Sequence, residues 1–279
     1  MSYLEAIFLG VLQGLTEFLP ISSSAHLAIF PQLFGFDDPG ASFTAVTQIG
    51  TEVAVLLFFW RDIVRIIKAW AIALVRKDRR GDLDARMGWY IIVGTLPIAV
   101  VGFLFQDTIK TTFRSLWLIA IMLIVFGLIL GIADRINVGE KLEGDLTLKD
   151  SLLYGLGQML ALIPGVSRSG ATISVGLFRG YRRDVATRYA FLLAIPAVLA
   201  SGVSQLNDVS LAASPASPGL PKTLVATLVA FVVGYVTIGW LLKYLRTRSY
   251  LPFVVYRVAL GSLVLILLAT GVLDSAVSV

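Results

Sequence analysis

Hydrophobic residues occupy most of the chain in runs long enough to cross a membrane. Six runs predict full crossings, at 41–60, 88–106, 115–134, 186–206, 223–243 and 252–273, and short polar loops separate them. About 20 helical residues span a hydrocarbon core of about 30 Å, and lipid cannot satisfy the free backbone groups of irregular chain. The pattern therefore predicts an all-α polytopic membrane protein with about six transmembrane helices.

Two further apolar segments are interrupted in the middle. Residues 3–34 break at Pro20 and a serine cluster, and residues 150–178 break around Pro164. Each apolar piece holds about 15 residues and reaches only about 22 Å as a helix, which is too short to cross alone. We therefore predict two re-entrant helical hairpins whose tips meet inside the membrane, where irregular backbone is tolerated only if it is buried or lines a cavity.

The charged residues orient these elements. Most Lys and Arg residues lie in loops at 61–86, 179–188 and 243–248, which are predicted to be cytoplasmic, with 69–75 lying along the membrane surface. The loops at 107–114 and 207–222 are then external. A net charge of +5 is explained by this topology and by membrane lipid headgroups, so no nucleic acid partner is expected.

The order of the elements predicts an internal repeat. One integral membrane domain over 1–279 would contain a hairpin followed by three crossings, once in 1–134 and again in 150–273, as two inverted repeats. A shift of 145 residues places Gln13 on Gln158. It also places Ser22 on Ser167 and Ser24 on Ser169.

Composition supports this fold and limits the chemistry. Hydrophobic residues make up 57% of the chain and charged residues 15%, with a mean hydropathy of +0.85. The absence of cysteine excludes disulfides, thiolate nucleophiles and thiolate metal sites. The first apolar stretch carries Glu5 and follows no basic region, so we expect it to belong to the mature protein and not to a cleaved signal peptide.

The first hairpin carries an unusual set of polar residues. On a helix Gln13 and Glu17 share one face, and Ser23 and His26, the single histidine, share another. Pro20 should end the first helix, so that Ser22 to Ser24 begin a new one. The free N–H groups and dipole of such a helix end attract anions, phosphate in particular.

The second hairpin should supply a matching helix end. Gly165 to Gly170 contain Ser167, Arg168 and Ser169, and the glycines allow close approach of backbone to a ligand. A charged arginine inside the membrane is unfavourable by at least about 2.5 kcal/mol, so Arg168 requires an anionic partner, which could be Glu17, a substrate phosphate or both. These residue types together predict phosphoryl transfer.

Both segments resemble the signature motifs of the undecaprenyl pyrophosphate phosphatase family, the BacA or UppP type linked to bacitracin resistance. Gln13-x-x-x-Glu17 takes the glutamine form of the first motif, and Pro164-Gly165-x-Ser167-Arg168-Ser169-x-x-Thr172 fills the second without a departure. The resemblance implies hydrolysis of undecaprenyl pyrophosphate to undecaprenyl phosphate and inorganic phosphate. It places this reaction at the outer face of the bacterial plasma membrane, where it recycles the carrier lipid for peptidoglycan synthesis.

The resemblance also implies roles for individual residues. Ser23 would be the nucleophile with His26 as its base, or His26 would itself be the nucleophile. Glu17 would transfer protons or hold a divalent cation, Mg²⁺ or Ca²⁺. Arg168 would clamp the pyrophosphate. Other residues that would bind substrate are Gln13, Ser22, Ser24, Gly165, Ser167, Ser169 and Thr172.

Three matters stay open at this point. Gln13 in place of glutamate removes one carboxylate, so a cation is expected to arrive with the pyrophosphate and not to be held tightly by the protein; no organic cofactor is expected. Inverted repeats with broken helices also occur in transporters, so a polyprenyl-phosphate flippase or anion transporter is the alternative function. Glu52 and Gln48 either reach the cavity or only bridge helices, and the oligomeric state, including a homodimer, is undetermined.

Overall fold

A computed structural model of the chain describes residues 1–36, 40–105, 115–208 and 219–275, without the side chains of residues 41 and 203–208. Three short 3₁₀ helices, at Lys77–Arg79, Glu143–Asp145 and Leu160–Leu162, accompany the α-helices. In this part of the chain the α-helices are α1 Tyr3–Phe18, α2 Ser23–Phe34, α3 Gly40–Phe58, α4 Trp60–Val75, α5 Leu83–Leu104, α6 Leu116–Ile136, α7 Leu148–Met159, α8 Arg168–Phe178, α9 Arg183–Asp208, α10 Leu220–Tyr244 and α11 Leu251–Ala269.

The helices are long and apolar enough to make the chain a multi-pass membrane protein. Among the described residues, α5, α6, α9, α10 and α11 each qualify as a membrane span by length and composition. The pair α3 and α4 qualifies as a sixth if it is counted as one span with a bend of 66°. The predicted all-α polytopic class is therefore confirmed. The predicted external loop at 107–114 and most of that at 207–222 lie outside the described residues.

The helix predicted to lie on the membrane surface is longer than expected. The sequence analysis placed it at 69–75, whereas α4 begins at Trp60, directly after the bend. No proline or glycine lies between Trp60 and Val75, so the helix extends over the charged residues that precede 69–75. It is amphipathic, because Ile66 and Ala73 are buried whereas Arg61 and Lys68 are exposed.

Both hairpins break where the sequence predicts. α1 and α2 are joined across Pro20, and α2 begins behind Ser22. α7 and α8 are joined across Leu160–Leu162 and Pro164, and α8 begins behind Ser167. Proline cannot donate the hydrogen bond that a continuing helix needs, and a serine hydroxyl can cap the first turn of the next helix.

Buried acids near the loop ends of the bundle are paired with arginines. The Asp134 carboxylate lies 2.5 Å from Arg183 Nε, and the Asp150 carboxylate lies 2.6 Å from Arg179 Nε. Tyr181 also donates a hydrogen bond of 2.8 Å to Asp150. The Asp134 pair joins α6 to α9, and the Asp150 contacts join α7 to the residues that follow α8, so the two helices of the second hairpin are connected at their loop ends.

The hairpins pack against neighbouring helices without space for side chains. A Cβ atom at Gly155 of α7 would collide with the carbonyl oxygen of Gly94 in α5. A Cβ atom at Gly10 of α1 would lie 2.5 Å from the carbonyl oxygen of Ala226 in α10. A shift of 145 residues relates Gly10 to Gly155, as it does the two N-cap serines. The inverted repeat of 1–134 and 150–273 stays a prediction.

Replacement of Gly155 by alanine should destabilise the protein although alanine is the better helix former. The added methyl group meets backbone, which cannot rotate away, and overpacking of this kind costs about 1–3 kcal/mol. We expect a thermal unfolding midpoint in detergent at least about 2 °C below that of the wild type. Gly144→Ala is the matched control, because nothing lies within 4 Å of a Cβ atom there. Equal midpoints for Gly155→Ala and Gly144→Ala would contradict the tight α5–α7 contact.

Candidate active site

The tips of the two hairpins touch each other. Arg168 Nη2 in α8 donates a hydrogen bond of 2.5 Å to Glu17 Oε1 in α1, and the two side chains form an ion pair. The N–H group of Gly165 donates to the Ser24 hydroxyl oxygen at 3.4 Å. The structure therefore brings together the two motifs that stand half a chain apart in the sequence.

Ser22 and Ser167 start α2 and α8 with the same uncommon backbone. Their φ angles are 76° and 71°, and no other non-glycine residue in the described ranges has a positive φ. Each hydroxyl caps its helix, accepting from the N–H of Ala25 at 3.4 Å or of Gly170 at 3.2 Å. The two N–H groups that precede the capped one in each helix have no acceptor among the described residues. Two helix N-termini thus present free donors and positive dipole ends, which is how proteins bind phosphate.

Glu17 is the centre of the hydrogen bonds in the first hairpin. Its Oε2 atom accepts from the Ser23 hydroxyl at 2.8 Å and from Gln13 Nε2 at 3.4 Å, while Oε1 accepts from Arg168. The predicted shared face of Gln13 and Glu17 is confirmed, and so is an anionic partner for Arg168. A carboxylate that holds a serine hydroxyl in this way can take its proton when the oxygen attacks.

His26 has partners other than those expected. Its Nδ1 lies 2.7 Å from the carbonyl oxygen of Ser22, and its Nε2 lies 2.7 Å from the hydroxyl of Tyr256. A carbonyl only accepts, so Nδ1 carries the hydrogen, and in the neutral ring Nε2 accepts from Tyr256. No hydrogen bond joins His26 to Ser23 in the described part of the chain, since Ser23 donates to Glu17. The expected Ser23–His26 pair of nucleophile and base is therefore not formed.

The serines and the threonine of the second motif are placed differently. The hydroxyls of Ser167 and Ser169 lie 3.2 Å apart, as do the matching hydroxyls of the first hairpin. Ser169 also donates to the carbonyl oxygen of Leu19 at 3.2 Å, which adds a contact between the tips. Thr172, expected to bind substrate, is fully buried and donates to the carbonyl oxygen of Arg168 at 2.7 Å. Its hydroxyl therefore supports the first turn of α8 and does not face a ligand.

Arg257 of α11 joins both tips from behind. It is completely buried, and its guanidinium donates to the carbonyl oxygens of Pro20 at 3.1 Å, Gly165 at 2.9 Å and Val166 at 3.0 Å. The sequence analysis missed this residue and the neighbouring Tyr256. The available signal was a lone arginine inside an apolar crossing, because an ionisable residue at that depth is unfavourable unless it has partners or a function. Two further carbonyls of α6 also accept from it, those of Met122 and Leu123.

A cavity of about 400 Å³, including the space at its open mouth, lies beside the ion pair of Glu17 and Arg168. Ser169, Thr51 and Glu52 add polar groups to its wall. The remaining lining residues are apolar and come from α1, α3 and α9. They are Phe18, Val55, Ala190, Phe191, Ala194 and Val198. A charged group and an apolar chain attached to it would both find matching walls here.

The donor set does not suit a metal held by the protein alone. Within the described ranges, no three or more His, Asp or Glu side chains come close enough together to hold an ion. Both oxygens of Glu17 are already engaged, and Gln13 offers an amide where a second carboxylate would be needed. A hydroxyl, a carboxylate, a guanidinium and two helix N-termini instead form a set suited to phosphoryl transfer.

Comparison with known proteins gives one consistent result. The family model described as bacitracin resistance protein BacA matches residues 6–263. A protein of Nocardioides sp. named undecaprenyl-diphosphatase is 59% identical over 273 residues, which cover 98% of this chain and 99% of the relative. Proteins of the same name from Pseudarthrobacter chlorophenolicus and Renibacterium salmoninarum are 57% and 55% identical and cover 99% and 100% of this chain, respectively, and 100% of each relative.

Replacement of Arg257 by methionine should loosen both tips. The change removes a buried charge but leaves the carbonyls of Pro20, Gly165 and Val166 without their donor, and hydrogen bonds to charged groups contribute about 1.5–3 kcal/mol each. We expect the thermal unfolding midpoint in detergent to fall by about 6 °C or more. Arg248→Met, at an exposed loop position, serves as the control and should stay near the wild type. A midpoint for Arg257→Met that equals the control would show that the tips do not depend on this residue.

Proposed function

The chain belongs to the bacitracin resistance protein BacA family, and we propose that it is an undecaprenyl-diphosphatase in which Ser23 attacks the pyrophosphate of the lipid. The reaction converts undecaprenyl pyrophosphate to undecaprenyl phosphate and inorganic phosphate. The product is the carrier lipid of peptidoglycan synthesis, and its recycling accounts for bacitracin resistance as a family property.

One observation carries the assignment of roles, namely the chain of contacts from Ser23 through Glu17 to Arg168. The nucleophile is bonded to a carboxylate that can accept its proton, and that carboxylate is bonded to the cation that would bind phosphate. All three groups lie beside two capped helix N-termini. This arrangement needs no movement of distant parts to bring nucleophile, base and phosphate together.

The steps of the reaction follow from these positions. The terminal phosphate displaces Glu17 from part of the Arg168 guanidinium and accepts from the free N–H groups at the starts of α2 and α8. The Ser23 oxygen attacks the terminal phosphorus as its proton passes to Glu17, and the bond to the bridging oxygen breaks. Water then attacks the phosphorus bound to Ser23, the bond to the serine oxygen breaks, and Glu17 returns its proton to that oxygen. Arg168 and the helix ends stabilise the charge on the phosphoryl oxygens throughout.

His26 acts as a positioning residue in this scheme. Its Nδ1–H donates to the carbonyl oxygen of Ser22, and Tyr256 fixes the opposite ring nitrogen. Ser22 is the residue with positive φ that aims the start of α2, so the imidazole supports the backbone on which Ser23 stands. The alternative of His26 as the nucleophile has less support, because both ring nitrogens are engaged.

A divalent cation, Mg²⁺ or Ca²⁺, would enter with the pyrophosphate. Because the His, Asp and Glu residues in the described ranges do not form a metal site of their own, no step above is assigned to an ion, and Glu17 is used only for proton transfer. An organic cofactor has no place in the scheme.

The membrane and its side belong to the same proposal. We place this multi-pass protein in the bacterial plasma membrane with the cavity open to the outer face. The basic loops support that orientation through the positive-inside tendency. A homodimer stays a prediction, and light scattering of the purified protein in detergent would test it.

The transporter alternative is not favoured. A flippase or anion carrier needs Arg168 and the helix dipoles, but it gives no reason for a serine hydroxyl bonded to the partly buried carboxylate of Glu17. The names of the full-length relatives also point to hydrolysis.

Phosphate release from undecaprenyl pyrophosphate in detergent tests the function. We expect Ser23→Ala to lose about 10³-fold or more in kcat and Arg168→Ala about 10²-fold or more. The control is Ser249→Ala, which removes a hydroxyl from a half-buried loop residue that accepts only from the N–H group of Leu251 among the described residues and should retain full activity. A wild-type protein that binds the lipid but releases no phosphate with added Mg²⁺ or Ca²⁺ would overturn the assignment.

Acid quenching of the reaction tests which residue is phosphorylated. With substrate labelled in the terminal phosphate, we expect acid-stable label on the peptide that contains Ser23, because a phosphoserine survives acid. Ser23→Ala should abolish this label, and His26→Gln should reduce the rate without moving it. Acid-labile, base-stable label on His26 would instead make the imidazole the nucleophile.

A further inference from the structure

Glu52 of α3 is a buried acid that forms no ion pair with the described residues. It is 6% exposed, and its hydrogen-bond donor is the Gln48 amide, 3.3 Å from Oε1. The other two buried acids in the described residues, Asp134 and Asp150, each have an arginine within 2.6 Å. A buried carboxylate with no ion-pair partner is disfavoured, so this environment favours the protonated form of the Glu52 carboxyl group.

Glu52 lines the cavity that lies beside the ion pair of Glu17 and Arg168. Its side chain lines the same wall as Glu17 and Arg168. On the facing helix α9, Gly202 has no side chain, and a Cβ atom there would collide with the Glu52 carboxyl oxygen. The absence of a side chain at Gly202 therefore makes space for this carboxyl group, which lies where α3 and α9 meet at the cavity.

The charged surroundings of Glu52 are few. Glu17 from α1 and Arg168 from α8 are the other ionisable residues that line the cavity. α10 presents Thr227 and Gly234 to this part of α3, and α4 begins about two turns further along. Arg168 is already paired with Glu17. One cation thus faces two carboxyl groups, and it is paired with only the first of them.

The substrate would lie across this wall. Its terminal phosphate belongs with Arg168 and the helix ends, and its prenyl chain belongs with the apolar residues Val55, Phe191 and Val198. The bridging oxygen lies between these two parts of the molecule. Glu52 lines the cavity among both kinds of residue, and we therefore place the bridging oxygen of the bound substrate on its side of the cavity.

We propose that Glu52 is a further catalytic residue, the acid that protonates the leaving prenyl phosphate. This proposal rests on the proposed function. As the Ser23 oxygen bonds to the terminal phosphorus, the electron pair of the breaking bond goes to the bridging oxygen, which takes the proton of Glu52. The carboxylate that results regains a proton from the water consumed in the second step. Glu52 thereby supplies the second carboxyl group that Gln13 does not provide.

The test compares kcat and KM for undecaprenyl pyrophosphate, from about pH 5.5 to 9, in the wild type and in Glu52→Gln. The amide has the size of the acid and can donate a hydrogen bond, but it cannot give up a proton. We expect kcat to fall about 100-fold or more with KM little changed. The decline of wild-type kcat at high pH, where the acid has lost its proton, should be absent from the variant.

Two further variants make the result decisive. Thr47→Val changes another buried polar residue of α3, which does not line the cavity, and should match the wild type. If Glu52→Gln does not fold, Glu52→Asp replaces it, with lowered kcat and a retained decline at high pH expected. Folded Glu52→Gln with kcat within about threefold of the wild type, or with its decline at high pH unchanged, would overturn the proposal. Failure of the wild type to release phosphate would instead overturn the proposed function.

Discussion

The two hairpins depend on the hydrogen bonds that the Arg257 guanidinium donates to their tips. A helix that breaks inside a membrane leaves carbonyl groups without helical partners, and lipid offers none. Arg257 donates to Pro20 in the first tip and to Gly165 and Val166 in the second, so one side chain satisfies both breaks. Its charge is surrounded by carbonyl oxygens and not by a carboxylate. The tips therefore keep a fixed distance while the acids in front of them remain available for chemistry.

The front of the site is organised by the opposite sign of charge. Glu17 forms an ion pair of 2.5 Å with Arg168, and it also accepts a hydrogen bond from the Ser23 hydroxyl. An arriving pyrophosphate competes with Glu17 for the guanidinium. The Glu17 carboxylate then keeps its bond to the Ser23 hydroxyl, whose proton it accepts in the proposed reaction. Binding and activation are in this way coupled through a single ion pair.

Local chemistry explains what the sequence could predict and what it could not. The breaks at Pro20 and Pro164 and the need of Arg168 for an acid follow from properties of the residues themselves. The partners of His26 do not, because spacing in a helix defines only a shared face. Which way the ring turns depends on Tyr256, which lies 230 residues away in sequence. The position of Arg257 in an apolar run was a visible signal in the sequence. The carbonyl groups to which it donates could not be predicted, because they come together only in the folded hairpin tips.

The backbone of Ser22 and Ser167 limits which mutations these positions tolerate. A positive φ costs a non-glycine residue about 1–3 kcal/mol, yet each hydroxyl also caps a helix. Glycine would relieve the backbone and lose the cap, whereas alanine would keep the strain and lose the cap as well. General amino-acid substitution matrices treat alanine and glycine as similar replacements for serine. At these two positions we expect glycine to be tolerated better than alanine. The backbone conformation and the helix cap therefore restrict the residues accepted at the hairpin tips more than burial alone would.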